Sequence, residues 1–435
     1  MILSAILLSA ASCLAVGPAE SEYEKDVAFA LEEIEKRCGR FFDLKKIDWK
    51  KVSAEFTKAA KSVKTPEDHL VLLVRLLARL EDGHAEVRPL EKGGGVRAPE
   101  AIGGEREGPG MYWCRIGRDF YVKTAFGAAA ASGVKAGDKI LKVNGKAPDK
   151  WMAERVAALA DVKSFSTEQH AFFFACHGGL HDKPGTRYQL ELVGADGKKK
   201  SKTIACDRTG GSPLFGPAFP PEGLASAGDL SYGTTKAGFG YIHLRRSPGD
   251  LPELMDKALA ALGNPPGLIL DYRGNGGGGF DHDAFMGRFV PKGKIMDFGA
   301  NYKSAGPNPY GGPIVVIVNG TVVSAGETGC GAFKEDGRGY MIGESATAGM
   351  ASQKETIELP SRLFSLYVSV GSNRARFNGG KGVEGIGIAP HETLEFKPRD
   401  LAEGKDTLIA RAEAILRDFP NADVPYDPKA FGWEK

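Results

Sequence analysis

Between residues 238 and 395 the sequence alternates between short apolar runs and stretches with helical spacing: GFGYIHL, LPELMDKALAAL, GLILDYRGNGGGGF, IVVIVNG, SAGETGCGAF, YMIGES and FSLYVSV. A chain that alternates in this way layers helices over a sheet, so this region is expected to be α/β. The full length of 435 residues exceeds one ordinary domain and leaves room for two or three with substantial cores. The apolar fraction of 42% and charged fraction of 26% are those of a globular protein. A formal charge of +2 gives no reason to expect nucleic acid or an anionic surface as partner.

The N-terminus, MILSAILLSAASCLAVGPAE, is an apolar segment followed by small residues. It is short for a membrane span and suits a signal peptide over residues 1–19, although its start lacks the usual Lys or Arg. Export to the periplasm, cell envelope or exterior is therefore expected. The AASC stretch also offers Cys13 as a lipid acceptor, the only route to a membrane tether. The six cysteines (Cys13, Cys38, Cys114, Cys176, Cys206 and Cys330) show no paired short spacing, so neither a zinc ribbon nor a dense disulfide framework is indicated.

Residues 22 to 82 carry apolar positions at three- and four-residue steps with charges between them, which predicts an N-terminal helical region over 20–95. Its second helix is expected to stop at Asp82-Gly83 and to deliver His84 to an accessible loop. A Gly-rich linker follows, and from about residue 110 short strands take over, interrupted by a helical stretch at 151–180.

Two features of the α/β region carry possible chemistry. Gly274-x-Gly276-x-x-Gly279, with Asp297 downstream, literally satisfies a dinucleotide fingerprint, but a run of four glycines matches such a pattern cheaply. A Gly-rich turn after a buried strand also lets bare N–H groups approach a ligand, as an oxyanion hole requires. Ser324-Ala325-Gly326-Glu327 fits a capping box at a helix start. The same position suits a nucleophile, because a helix N-terminus presents backbone donors and a positive dipole end to a developing oxyanion.

Two family resemblances organise these motifs. Gly133-Val134, Gly137-Asp138 and the run Ile140 to Gly145 resemble a PDZ domain, which implies a PDZ-like β domain over 108–205 and an extended polypeptide as ligand. Asp271-Tyr-Arg-Gly-Asn-Gly-Gly-Gly, Ser324-Ala-Gly-Glu327, Gly343-Glu344 and GVEGIGIAPHE resemble, in that order, the serine peptidase family that includes C-terminal processing proteases, tricorn core protease and interphotoreceptor retinoid-binding modules. The resemblance implies an N-terminal helical region, a PDZ-like domain, a ClpP/crotonase-like α/β core over 225–400 and here a C-terminal helical extension over 401–435. It makes Ser324 the nucleophile, with the amides of Gly277 and Ala325 as oxyanion hole.

C-terminal processing members place an activating lysine after Gly-Glu, but here GESATAGMAS puts Gly349 at that position. A Ser-Lys dyad is therefore not expected. The tricorn-like branch takes a histidine from Asp-Ser/Gly-His, here Asp82-Gly83-His84, and a glutamate from Glu-Gly-x-Gly-x-x-Pro, here Glu384. His84 would take the serine proton and Glu384 would orient the imidazole and stabilise its cation. Tricorn has serine immediately before the histidine, where this chain has Gly83, so the route from Glu384 to His84 is open.

Simpler readings stand beside these. His84 could only complement a helix end, Glu384 could be a turn carboxylate, and Asp271 with Arg273 is best read as a structural ion pair. His170, Cys176, His177 and His181 invite a metal reading, yet one helical stretch gives no firm ligand geometry, and no metal or organic cofactor is expected. The expected function is an exported serine endopeptidase acting on unfolded or tail-exposed polypeptides. The alternative is a non-catalytic protein on the same fold that binds a peptide or hydrophobic ligand, in which no histidine would reach Ser324.

Overall fold

The computed structural model describes residues 21–210, 215–297, 301–350, 352–372 and 376–419. The expected signal segment with Cys13 lies outside these described residues, as does 420–435 of the C-terminal extension. Among the described residues no helix is long and apolar enough to cross a membrane. Cys38, Cys114, Cys176, Cys206 and Cys330 are free and buried.

The N-terminal region holds helices α1 (Glu22–Cys38), α2 (Phe42–Lys45), α3 (Trp49–Ala60) and α4 (Pro66–Ala78). The start of α4 is strongly specified. Thr65 accepts the Asp68 N–H, Pro66 fits the first turn, and Glu67 and Asp68 face the positive dipole end. The helix ends at Ala78 and not at Asp82-Gly83, because Glu81 takes φ 48° and Asp82 turns its carboxylate onto the His84 N–H. Strand β1 (Glu86–Pro89) follows directly.

The middle of the chain is a meander of β2 (Met111–Ile116), β3 (Asp119–Ala125), β4 (Lys139–Val143), β5 (Arg187–Val193) and β6 (Lys199–Ala205), with helix α5 (Gly127–Ala131) between β3 and β4. All neighbours in this five-stranded sheet are antiparallel. The helical interruption expected at 151–180 is α6 (Pro148–Ala160) and α7 (Glu168–Cys176), inserted between β4 and β5.

The remainder forms a seven-stranded sheet. Its strands in chain order are β7 (Ala225–Ala227), β8 (Leu230–Thr234), β9 (Gly240–Leu244), β10 (Leu268–Asp271), β13 (Ile314–Val318), β14 (Tyr340–Gly343) and β17 (Glu392–Thr393). Helix α8 (Leu251–Leu262) connects β9 to β10, and α9 (His282–Gly287) with the small hairpin β11 (Ile295–Asp297) and β12 (Asn301–Lys303) lies between β10 and β13. Helix α10 (Ala325–Glu335) joins β13 to β14. Strands β9, β10, β13, β14 and β17 run parallel, as helical crossovers dictate.

Both faces of this sheet are covered, which explains why β10 and β13 read as unbroken apolar runs. Leu268, Leu270, Ile314, Val316 and Val318 face the core shared with α8, α9 and α10. Ile269, Val315 and Ile317 face the core shared with α12 (Thr407–Asp418), which α11 (Pro398–Ala402) precedes.

The hairpin β15 (Ser352–Glu358) and β16 (Phe364–Ser372) joins the two ends of the molecule. β1 pairs antiparallel with β16, Glu86 opposite Tyr367 and Pro89 opposite Phe364. Ile357, Leu366 and Val368 of the hairpin share one apolar core with Val27, Ile34, Leu73 and Leu77. The helical region is thereby fixed beside the α/β core, with the turn before β1 facing α10.

Candidate active site

Ser324 stands between β13 and α10 with φ 55° and ψ −126°, a backbone conformation that a residue with a side chain adopts only when its surroundings enforce it. Several bonds enforce it here. The Val323 N–H donates to the Asn275 carbonyl at 3.0 Å, and the Gly326 N–H donates to the Val323 carbonyl at 3.0 Å. The Glu327 carboxylate accepts the Ser324 N–H at 3.1 Å. Glu327 also accepts from Thr347 Oγ1 and the Gly349 N–H, both at 2.6 Å, and from the Met350 N–H at 2.9 Å. Burial pushes the Glu327 pKa up to about 8, yet all four partners are donors, an arrangement that fits the ionised carboxylate.

The capping-box pattern is therefore present, and Ser324 has a second role open to it. Its Oγ lies 3.1 Å from His84 Nε2. The two readings of Ser324 coexist, since the cap bond uses its backbone N–H and the hydroxyl meets the histidine.

The His84 turn is pinned by Asp82. One carboxylate oxygen accepts the His84 N–H at 2.9 Å and the Ser369 hydroxyl at 2.8 Å, while the other accepts the Ser369 N–H at 2.7 Å. Ser164 Oγ accepts the Asp82 N–H at 2.7 Å, and Ser166 Oγ accepts the Gly83 N–H at 2.8 Å. Gly83 itself is packed tightly, since a Cβ there would come within 2.8 Å of Met350 Sδ and 3.0 Å of His170 Cε1. The site a tricorn-like serine side chain would occupy is thus filled by Met350 and His170.

Glu384 is fully buried in the same cluster. Its Oε1 accepts from Lys45 Nζ at 2.8 Å and from Ser166 Oγ at 3.1 Å. Glu384 Oε2 and His84 Nδ1 are both buried without a hydrogen-bond partner among the described residues. One ligand-type atom from each of Asp82, His84 and Glu384 lies within 4.8 Å of the others. This trio has metal-like composition, but Asp82 spends its oxygens on Ser369 and His84, and Lys45 already supplies Glu384 with a cation. Burial brings the His84 pKa down to about 4, opposed by Asp82 and reinforced by Lys354 and Lys45. Burial drives Glu384 up to about 7, and Lys45 acts in the opposite direction.

Gly277 packs directly on the serine, and a Cβ there would come within 2.6 Å of Ser324 Cβ. Its φ of 74° also favours glycine. Its N–H donates to Asn275 Oδ1 at 2.9 Å, so the expected oxyanion donor is engaged within its own loop. Ala325 occupies the first position of α10, where the N–H has no intrahelical acceptor. Gly349 cannot carry an activating lysine, since its φ is 77° and a Cβ would lie 2.6 Å from Thr167 Cγ2.

The other singled-out residues have structural partners. Arg273 is fully buried between Asp271 (2.6 Å) and Asp406 (2.9 Å), the ion pair expected of the first two. Glu344 accepts from Asn319 at 2.8 Å and from Lys123 at 3.3 Å. Among the described residues His170, Cys176, His177 and His181 do not form a group with metal-ligand spacing. Sequence reading missed Lys45, Ser166, Ser369 and Asn275. Of these, Asn275 had a signal in its place inside the glycine turn, whereas the others reach the site only through tertiary packing.

A cleft of about 1310 Å³ opens beside this cluster, lined in part by Trp113 and Arg115 of β2, Met152 and Val156 of α6, and Phe172 of α7. Lys45 and Glu81 lie on its wall, which brings it next to the His84 turn without including Ser324.

Comparison with known proteins fits this geometry. Residues 238–394 match peptidase family S41. A chloroplastic C-terminal processing peptidase of Tetradesmus obliquus is 26% identical over 300 residues, 66% of this chain and 59% of that protein. Tricorn protease of Thermoplasma acidophilum is 30% identical over 175 residues, 37% of this chain and 15% of that protein. The chain thus spans less than two thirds of either relative. The crystal structure of mature CPAF shares the fold, with a TM-score of 0.67 at 14% identity over 92% of this chain and 98% of that one. The match to peptidase family S41 takes in the core that holds Ser324 and the glycine turn.

Proposed function

We propose that the protein is an exported serine endopeptidase that hydrolyses unfolded or tail-exposed polypeptides through an acyl-enzyme. The observation that carries this reading is the 3.1 Å contact between Ser324 Oγ and His84 Nε2, made at a strained helix N-terminus. His84 is neutral above a pKa of about 4, so near pH 7 it is ready to take the serine proton. Ser324 Oγ attacks the peptide carbonyl, and His84 then passes that proton to the leaving amine. Glu384 carries the charge that balances the imidazolium, one ligand-type atom of each residue lying within 4.8 Å of the other. The Ala325 N–H at the start of α10 and the Gly277 N–H, exchanged from Asn275, stabilise the oxyanion. Water repeats the sequence on the acyl-enzyme.

The five-stranded sheet is the PDZ-like domain of this reading. Its edge strand β2 lies beside α7, a strand-and-helix arrangement suited to adding an extended peptide. The cleft along β2 leads from there toward the His84 turn. The N-terminal segment acts as the export signal.

The test is labelling of the protein with a fluorophosphonate serine probe, alongside Ser324→Ala and His84→Ala. Labelling of wild type that both substitutions abolish is expected. Folded wild type that stays unlabelled, even with unfolded polypeptide added, would overturn the reading in favour of a binding protein.

A further inference from the structure

We infer that Lys45 is a positioning residue of the reaction, holding Glu384 ionised and oriented so that its free oxygen serves His84; this rests on the peptidase reading above. Four observations converge on it. The Lys45 ammonium is 2.8 Å from Glu384 Oε1, and both side chains are essentially out of solvent at 2% and 0% exposure. The same ammonium donates to the Glu81 carbonyl at 2.6 Å, so one group ties the carboxylate to the backbone entering Asp82-Gly83-His84. Gly385, at φ 74°, leaves room for the lysine stem, since a Cβ there would approach Lys45 Cε to 3.2 Å. Phe41 faces the ammonium with its ring centre 5.2 Å away.

The arrangement uses the two carboxylate oxygens differently. Lys45 and Ser166 both bind Oε1, while Oε2 and His84 Nδ1 are left without hydrogen-bond partners in a cluster where one ligand-type atom of Glu384 and one of His84 lie within 4.8 Å of each other. A neutral imidazole that accepts the serine proton at Nε2 carries its own proton on Nδ1, which makes Nδ1 a donor and Oε2 its complement. The charged groups around the pair are Lys45 from α2, Asp82 from the turn after α4, Glu327 from α10, and Lys354 from β15, which acts on His84. Lys45 is the cation in contact with the Glu384 carboxylate. Without it the pKa of this buried carboxylate flanked by Asp82, about 7 with Lys45 in place, rises further, and the imidazolium loses its counter-charge across a wider pH range.

The test compares pH profiles of kcat/KM, on an unfolded polypeptide substrate, for wild type, Lys45→Met, Lys45→Arg and Lys45→Met in a Glu384→Gln background. Wild type labelled by the fluorophosphonate is the entry condition, and its failure would remove the peptidase reading together with this inference. With labelling secured, Lys45→Met is expected to move the acid limb upward by a pH unit or more and to recover at high pH, while Lys45→Arg keeps the limb near wild type. In the Glu384→Gln background, which removes the unpaired charge and protects folding, Lys45→Met is expected to move nothing further. A plateau lowered equally at all pH values, with the limb in place, would make Lys45 structural only and overturn the inference. So would an equal shift of the limb in both backgrounds.

Discussion

Ser324 reaches its place by local chain geometry, whereas His84 reaches it through packing between distant segments. On the core side, β10, the glycine turn, β13 and α10 follow one another in a parallel layer, and the contacts that strain Ser324 come from residues 275 and 327. On the other side, Asp82 is held by Ser369, 287 residues away, and Glu384 by Lys45, 339 residues away. Ser324 is thus placed by one supersecondary unit, while His84 and Glu384 are brought to it by the packing of the N-terminal helices on the β15–β16 hairpin. A long-range half assembled in this way is where activity can be lost without loss of the core.

The sharpest way to break the local half is Gly277→Ala. The added methyl meets Ser324 Cβ at 2.6 Å, on a backbone with φ 74°. Probe labelling is expected to fall about 1000-fold, the upper scale for a lost oxyanion donor, with little change in the melting of the N-terminal region. Labelling at the wild-type rate would show that the glycine turn plays no part in placing the serine.

For the long-range half the largest effect belongs to Glu384→Gln. The Glu384 pKa is pushed up to about 7 by burial, so its negative charge is present above that pH and lost below it. His84, brought down to about 4, is already neutral there. The wild-type kcat/KM is therefore expected to rise through about pH 7 to a plateau. Glu384→Gln should flatten that rise and lower the plateau by on the order of several hundred-fold, the scale of one charge a few ångström from the imidazolium at an effective dielectric of about 20. A Gln variant that keeps the limb at pH 7 would assign it to another group.

Asp82→Asn probes the fastening and also removes one of the charges acting on His84 and Glu384. The Ser369 N–H and the Asn amide would meet as two donors where the carboxylate oxygen now accepts at 2.7 Å. About a tenfold loss of kcat/KM is expected, the scale of one buried donor left without its acceptor. A loss at the Ser324 level would mean that the two halves are not separable.

The same division explains what the sequence disclosed. The apolar runs of β10 and β13, the glycine turn and the Ser-x-x-Glu pattern are contiguous signals, and a chain reader meets them in the order in which they pack. Asp82-Gly83-His84 and Glu384 were legible only because their neighbours form short patterns that resemble a known family. Lys45 sits in a four-residue helix with an ordinary surface composition, and Ser166 in a loop between two helices. Nothing in their local sequence marks a buried residue, because both bond to the distant Glu384 and to the backbone of the His84 turn. The helix end at Ala78 was misplaced for a related reason, since tertiary bonds to Asp82 set the exit of the chain.

The smallest expected effect concerns the one departure from the tricorn-like pattern. A serine at position 83 would restore the Asp-Ser-His triplet, and on sequence alone Gly83→Ser should strengthen the link from His84 to Glu384. The packing argues the reverse. The new Cβ would press on Met350 Sδ at 2.8 Å and on His170 Cε1 at 3.0 Å, while Ser166 already holds Glu384 Oε1. Gly83→Ser is expected to cost about 1–2 kcal/mol of stability, the scale of an overpacked core, and to lower kcat/KM a few-fold. Because Met350 Cβ also lies 3.1 Å from that position, trimming the side chain relieves only the sulfur contact, and Met350→Ala should recover part of the loss. Thermal unfolding and kcat/KM of the single and double variants measure both effects. A Gly83→Ser protein more active than wild type would show that the serine route to Glu384 still operates here and that Ser166 has not taken its place.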